Sequence, residues 1–490
     1  MIVGDSKQIL IPELKRVRGA GHRLRGIRCL HTHLSGEGLT QDDLVDLALL
    51  RLDLMASIQV TQEGLPGEVE MAHLLPGAMD EKPWTVRRFS HLGTVELDVG
   101  GFIESLEEEY SRHSGSRPVE DGKEKAILVS VSESSLANAS DGLSELRGLA
   151  EACGLAVLDE VIQYRTKPHP KLLMGPGKLR ELVIRSLQLG GDLIIFDQEL
   201  SPAQVRNIAD FTELKIIDRT QLILDIFAQR ARTKGAKLQV ELAQLSYMLP
   251  RLVTKDTAMS RLTGGIGGRG PGETKLEINR RRVRERIVHL QHELKGLRRR
   301  GEQRRALRRK RGVPIISIVG YTNTGKSTLL NTLTESHLFV EDRPFATLDA
   351  SSRRLRLPRE TEVLITDTVG FIRRLPRELV AAFGATLEEL QDADLLLHLV
   401  DISNPQFEEQ MEAVEGTLKE LGLEEKETLR VFNKQDLVDP ALARNLARRY
   451  GALTVSALDG KTLLPLVERI EEIIWARSRR GEPQVLMRSG

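Results

Sequence analysis

Between residues 126 and 218 short apolar runs alternate with stretches whose apolar positions recur every three or four residues. AILVSVS (126–132), AVLDEVIQYR (156–165) and DLIIFD (192–197) predict buried strands, and KIIDR (215–219) closes the series. SLANASDGLSELRGLAEACG predicts a helix ended by Gly154, and PGKLRELVIRSLQLGG a second with a glycine stop. A third opens with Ser201 as cap and Pro202 in its first turn. Strands alternating with helices predict a small α/β domain with a mostly parallel sheet. GPGK (175–178) carries a scrap of a phosphate loop, but the flanking spacing is missing, and a helix-opening turn accounts for it.

Upstream the pattern is weaker. TQDDLVDLALLRLDLMASIQV (40–60) predicts a capped helix running into a strand, and GTVELDVGGF (93–102) a strand and turn. CLHTHL puts Cys29, His31 and His33 on one face of a strand, where they could bind a metal, but no second ligand pair completes a closed site in sequence. The polar segment SRPVEDGKEK (116–125) predicts a linker. Residues 1–123 are therefore read as an N-terminal extension and 124–218 as the α/β subdomain.

Leu238, Leu242, Leu245, Leu249 and Leu252 fall at steps of four and three, and Val283, Ile287, Leu290, Leu294 and Leu297 repeat the rhythm. Each set makes one apolar seam. TGGIGGRGPGE (263–273) lies between them and cannot be helical. The prediction is an antiparallel helical hairpin over 219–312 with a glycine-rich tip.

Charge changes the meaning of that tip. The chain of 490 residues carries a net charge of only +1. Residues 254–312 hold 19 Lys or Arg against 6 Asp or Glu, a net of +13, so the remainder carries −12. A basic block on an otherwise acidic protein is either a solvated helix surface or one surface facing a polyanion. Glycines let a backbone approach closely, and arginines offer forked donors to phosphate. Arg261, Arg269, Lys275, Arg280, Arg281 and Arg282 are the candidate RNA contacts, on a prong suited to RNA recognised by shape and backbone. The apolar fraction of 40% and charged fraction of 29% fit an ordinary globular protein of about three domains. No apolar run is long enough to span a membrane, and charge interrupts the N-terminus too early for a signal peptide. Two cysteines, Cys29 and Cys153, fit a reducing cytosol.

From residue 313 a second α/β pattern runs to 477, before a tail at 478–490. VPIISIVG predicts a buried strand, and YTNTGKSTLLNTLT turns into a helix. Gly320, Gly325, Lys326 and Ser327 match the phosphate-loop spacing, in which successive N–H groups wrap a β-phosphate at a helix N-terminus. Lys326 neutralises phosphate charge and Ser327 offers its hydroxyl to Mg²⁺. The rest of the loop, Tyr321, Thr322, Asn323 and Thr324, with Thr328 after it, lines the same ligand. FATLD supplies Phe345 and Thr347, the latter able to close over the γ-phosphate and Mg²⁺. DTVG supplies Asp367, Thr368, Val369 and Gly370, with Asp367 reaching Mg²⁺ through water and the Gly370 N–H free for the γ-phosphate. Asn433, Lys434 and Asp436 follow a later strand, and a buried carboxylate there would accept both donors of guanine. Ser456 and Ala457 would present a backbone N–H to the guanine carbonyl. Lys326, Thr347 and Gly370 are the candidate catalytic positions. Where a glutamine often orients the attacking water stands Phe371, which has no donor or acceptor to offer.

The set GYTNTGKST, FATLD, DTVGFIRRLP and NKQD, with SRLTGGIGGRGPGETKLEINRRRVRERI, resembles the HflX family of translation-factor-related GTPases over about residues 126–477. The resemblance implies a P-loop GTPase domain beside a smaller N-terminal α/β domain with a long antiparallel helical hairpin. It implies a Mg²⁺-dependent GTPase that binds GTP and GDP, engages the large ribosomal subunit and its rRNA, and splits stalled or idle ribosomes. Off the ribosome it would be a monomer. The expected location is cytoplasmic, partly ribosome-associated and partly membrane-peripheral. The resemblance also places Asn323 where some related GTPases hold K⁺; loop hydrogen bonding is the equal alternative. Phe371 beside Arg373, Arg374 and Arg377 suggests hydrolysis held slow until RNA completes the site. Two rival readings stand: an NTP-dependent RNA-remodelling protein of helicase type, and a non-catalytic assembly factor switched by GTP.

Overall fold

The computed structural model describes residues 24, 26–33, 36–50, 52–75, 83–115, 123–133, 136–212, 214–252, 275–310, 313–334, 351–359, 361–368, 370–373 and 390–481. They belong to two compact units, Met1–Arg219 and Thr220–Gly490.

The first unit holds two sheets. Strands β1 (Arg28–His33), β2 (Leu54–Val60), β3 (Pro66–Leu74) and β4 (Trp84–Phe89) lie in that order. Helix α1 (Gln41–Leu49) crosses between β1 and β2, which are parallel; the later pairs are antiparallel. Thr40 and Asp43 close a reciprocal capping box that fixes where α1 starts. Leu44, Leu47, Met55, Ala72 and Trp84 form one core, and Leu54, Ala56, Val69 and Met71 pack with Phe102 in another. Phe102 belongs to helix α2 (Val99–Gly115). The strand expected at 93–102 is therefore corrected to a 3₁₀ turn, Leu92–Thr94, and the start of α2. Asp98 decides this locally: its carboxylate accepts from the Gly100 N–H at 3.1 Å and its carbonyl from Phe102 N–H at 2.9 Å.

The second sheet is built from β5 (Lys125–Ser132), β6 (Ala156–Tyr164), β7 (Leu193–Phe196) and β8 (Lys215–Asp218), ordered β6-β5-β7-β8 and parallel throughout. Helices α3 (Leu136–Ala152), α4 (Pro176–Gln188) and α5 (Pro202–Ala209) connect the strands. Ser201 caps α5, as its sequence predicts. Ile184 of α4 joins the core under α1, and Arg180 pairs with Asp42, so the described part of the N-terminal extension is an α/β layer docked on α4. Helix α6 (Arg219–Arg230) follows.

In the second unit α7 (Lys234–Met248) and α8 (Lys275–Lys310) form the hairpin. Leu238, Leu290 and Leu294 are buried in its seam with Leu242, Leu245 and Leu297 against them. Lys234–Glu293 at 3.2 Å and Arg286–Glu241 at 2.7 Å show the antiparallel register. The remaining strands are β9 (Ile315–Gly320), β10 (Ser351–Arg356), β11 (Glu362–Asp367), β12 (Leu395–Asp401), β13 (Thr428–Asn433) and β14 (Leu453–Thr454). Their order is β10-β11-β9-β12-β13-β14, with only β10 antiparallel. Helices α9 (Lys326–Thr334), α10 (Phe407–Glu420), α11 (Pro440–Tyr450) and α12 (Leu464–Gly481) accompany them. Ile316, Ile318, Leu397, Leu399, Leu466 and Ile470 fill the core. The β9, β11, β12 and β13 ends that carry the candidate residues therefore share one edge of a parallel sheet, where ligands of such sheets bind.

Candidate nucleotide site

β9 stops at Gly320 and α9 starts at Lys326, so the chain must reverse within Tyr321–Gly325. Asn323 takes φ +62° and Gly325 φ +92°. A Cβ on Gly325 would stand 2.5 Å from Asn433 Nδ2, so only glycine admits this approach. Asn433 donates from Nδ2 to the Thr324 carbonyl at 2.7 Å and accepts the Ala457 N–H at 2.8 Å. One buried amide thus binds the phosphate loop to the loop after β14. Thr324 itself donates to the Tyr321 carbonyl at 3.0 Å.

The Lys326 ammonium is buried and donates to the carbonyls of Gly320 at 3.1 Å and Tyr321 at 2.6 Å. Burial pushes its pKa down to about 8, against the opposing pull of Asp367. A desolvated cation and the N-terminal end of α9 point the same sign of charge at one place, which is an anion site. Ser327 Oγ donates to Asp367 Oδ2 at 2.6 Å. The pair is a hard-oxygen set of the kind Mg²⁺ takes with substrate phosphates, so the residues fit that ion. Thr368 Oγ1 donates to the Ile318 carbonyl at 2.7 Å and pins the chain beyond β11. At Gly370 a Cβ would meet Thr322 Cγ2 at 3.0 Å and Lys326 Nζ at 3.1 Å, so the backbone here lies directly against the phosphate loop.

Phe371 is 2% exposed, and its main chain does the bonding. Its N–H donates to the Gly320 carbonyl at 3.0 Å and its carbonyl accepts the Thr322 N–H at 2.8 Å, forming a parallel bridge to Tyr321. The Tyr321 hydroxyl accepts the Arg373 N–H at 2.8 Å. The Arg373 guanidinium pairs with Glu409.

At the guanine end Lys434 adopts φ +62° and its ammonium lies 2.7 Å from Asp401 Oδ2. Asp401 Oδ1 accepts from the Ser403 N–H at 3.0 Å and hydroxyl at 2.6 Å. Sequence reasoning missed this clamp, although Asp401 ends a buried strand, the position that marked the other candidates. Asp436 is exposed on the turn Gln435–Leu437, which corrects the expectation of a buried carboxylate. Ser456 and Ala457 are buried, but their N–H groups already have acceptors, Thr462 Oγ1 at 2.9 Å and Asn433 Oδ1. Phe345, Thr347, Val369, Arg261 and Arg269 lie outside the described residues, as do Arg374 and Arg377 and the side chain of Lys275. Arg280 donates to the Leu252 carbonyl at 2.9 Å, while Arg281 and Arg282 are exposed along α8.

Three family models match the chain: "GTP-binding GTPase N-terminal" over residues 140–228, "GTP-binding GTPase Middle Region" over 230–308 and "50S ribosome-binding GTPase" over 315–434. A GTPase HflX of Lacrimispora saccharolytica is 47% identical over 352 residues, covering 72% of this chain and 83% of its own length. The GTPase HflX of Escherichia coli is 44% identical over 355 residues, covering 72% and 83%. A crystal structure of a GTP-binding protein from Sulfolobus solfataricus in complex with GDP aligns with 72% of this chain and 99% of that one, at 24% identity and a TM-score of 0.39.

Proposed function

Because the chain belongs to the HflX family of GTPases, we propose that its GTP hydrolysis is gated by the large ribosomal subunit and that it splits stalled or idle ribosomes. The observation that carries the gating is the burial of Phe371. A ring packed in the interior, bonded only through its main chain, leaves no side chain there to align water. Intrinsic GTPases that possess the glutamine already turn over at only about 10⁻⁴ to 10⁻³ per second, and a partner adds up to about 10⁵-fold.

Each residue of the site then has a task. Lys326 and the α9 N–H groups bind and orient the β- and γ-phosphates. The Gly370 backbone lies against Thr322 and Lys326, where its N–H can meet a γ-phosphate and report it to the chain beyond Phe371. Ser327 would hold Mg²⁺ directly and Asp367 through water; the ion, when bound, neutralises phosphate charge. Asn433 keeps the phosphate and base loops at a fixed spacing. Lys434, held by Asp401, and Asp436 at the surface complete the base site. The hairpin with its basic block supplies the rRNA-facing surface, with Arg281 and Arg282 exposed along α8.

GTP turnover measured with and without purified large subunits tests the gating. A rise of at least about a hundredfold is expected; equal rates end the idea. Splitting is tested separately, by sedimentation of intact ribosomes with the protein and a non-hydrolysable GTP analogue. Subunit separation before hydrolysis is the expected result, and intact ribosomes the contrary one.

A further inference from the structure

Away from the nucleotide site, β1 and the first turn of α1 bring three ligand-type side chains together. His31 Nε2 lies 3.7 Å from Asp43 Oδ1, and His33 Nε2 lies 3.8 Å from Asp43 Oδ2. The three donor groups stand within 4.8 Å of one another. These separations are too long for hydrogen bonds, and His31 Nε2 is buried without a hydrogen-bond partner among the described residues. An ion with ligands at about 2.0–2.1 Å holds them roughly 3.4 Å apart, so a contraction of at most about 1.4 Å closes the site.

The surroundings aim these atoms. His33 Nδ1 lies 3.1 Å from the Glu37 carbonyl, which can only accept, so that nitrogen carries the proton and Nε2 keeps its lone pair. Asp43 Oδ2 accepts from the Thr40 N–H at 2.8 Å and hydroxyl at 2.7 Å, leaving Oδ1 toward His31. Strand alternation puts His31 and His33 on one face, with ring centroids 4.7 Å apart. Cys29 shares that face, but its sulfur lies 3.9 Å from His31 Nδ1, the nitrogen turned away from Asp43. Cys29 is therefore not among the donors that converge, which are His31, His33 and Asp43.

We propose that His31 Nε2, His33 Nε2 and Asp43 Oδ1 bind one divalent transition-metal ion of the Zn²⁺ type, which staples β1 to α1. Two imidazoles and one carboxylate suit such an ion and disfavour Mg²⁺ or Ca²⁺. Three protein ligands leave a further position for water or an outside donor.

The test uses the full-length chain without an affinity tag, with excess Mg²⁺ and GDP filling the nucleotide site. Co²⁺ titration is expected to give one equivalent per chain with visible ligand-field bands and no thiolate-to-cobalt band. The double variant His31→Ala/His33→Ala should bind at least about 100-fold more weakly, and Cys29→Ser should bind as the parent does. Zn²⁺ should raise the Tm of the parent and not of the variant, whose metal-free Tm and GDP affinity serve as the folding control. If that variant does not fold, Asp43→Asn replaces it, because an amide oxygen still caps α1. Equal uptake by parent and variant, absence of uptake by the parent, or a thiolate band overturns the proposal.

Discussion

Two glycine–lysine turns open helices in this chain, Gly177–Lys178 in α4 and Gly325–Lys326 in α9, each after a parallel strand. In the first, Pro176 removes one N–H from the helix start and Gln163 Oε1 takes the Gly175 N–H at 3.0 Å. Lys178 points outward and pairs with Glu181 three residues on. In the second, the short Tyr321–Gly325 turn folds over a buried ammonium held by main-chain carbonyls. The dipeptide is the same, but only the second turn concentrates positive charge in a desolvated place. An anion site therefore depends on which N–H groups stay available and where the lysine head is kept.

The sharpest way to break this contrast is to remove each lysine. Lys326→Ala should weaken GDP binding by about 100-fold, the scale expected when one charge-assisted hydrogen bond to phosphate is removed, while Lys178→Ala stays within about twofold. Titration with a fluorescent GDP analogue reads both. Comparable losses would show that the first turn also holds phosphate.

The sheets that precede these two helices differ next in their central strands. Ser130 of β5 accepts from Gln198 at 3.3 Å, whereas both ring nitrogens of His398 in β12 are buried without a hydrogen-bond partner among the described residues. Burial first, then Arg430 and Lys326, push the His398 pKa down to about 4. Because the folded value lies below the ordinary one, this stability is full above about pH 6.5 and is lost as pH falls toward 4. Acidification from pH 8 to 5 should cost about 2 kcal/mol through this group alone. His398→Leu should lack that component in urea unfolding followed by Trp475 fluorescence in a Trp84→Phe background. An unchanged pH dependence would place the acid sensitivity elsewhere.

The smallest effect sharpens the lysine argument. With its pKa near 8 in the free protein, Lys326 must take up a proton to meet phosphate once the pH exceeds that value. GDP affinity should hold below about pH 7 and fall about tenfold by pH 9. Lys326→Arg, always charged, should be flat across that range. A parent profile as flat as the arginine variant's would refute the depressed value.

Much of this was legible in the residues. The βα alternation, the Ser201 cap and the phosphate-loop spacing are local patterns, and the fold carries them as read; the first leucine seam is carried only to Leu245, because the helix ends at Met248 and Leu249 enters a 3₁₀ turn. GTVELDVGGF misled because its β-like residues precede an aspartate that starts a helix, and scattered apolar residues cannot say which face will find a core. Phe371 raised the right question, yet its burial and its bridge to Tyr321 come from a neighbouring loop rather than its own segment.

The sequence by itself determined most of the segments that become strands and helices and marked the phosphate-loop spacing, because backbone periodicity and loop chemistry act over a few residues. Only the tertiary structure decided the pairings: Asn433 with Thr324 across 109 residues, Lys434 with Asp401, and Asp43 with His31 and His33. Asp401 and Asn433 are register partners on β12 and β13, so the base clamp exists only because those strands are neighbours. Strand order is set by how whole layers bury their faces, and no local run of residues encodes it.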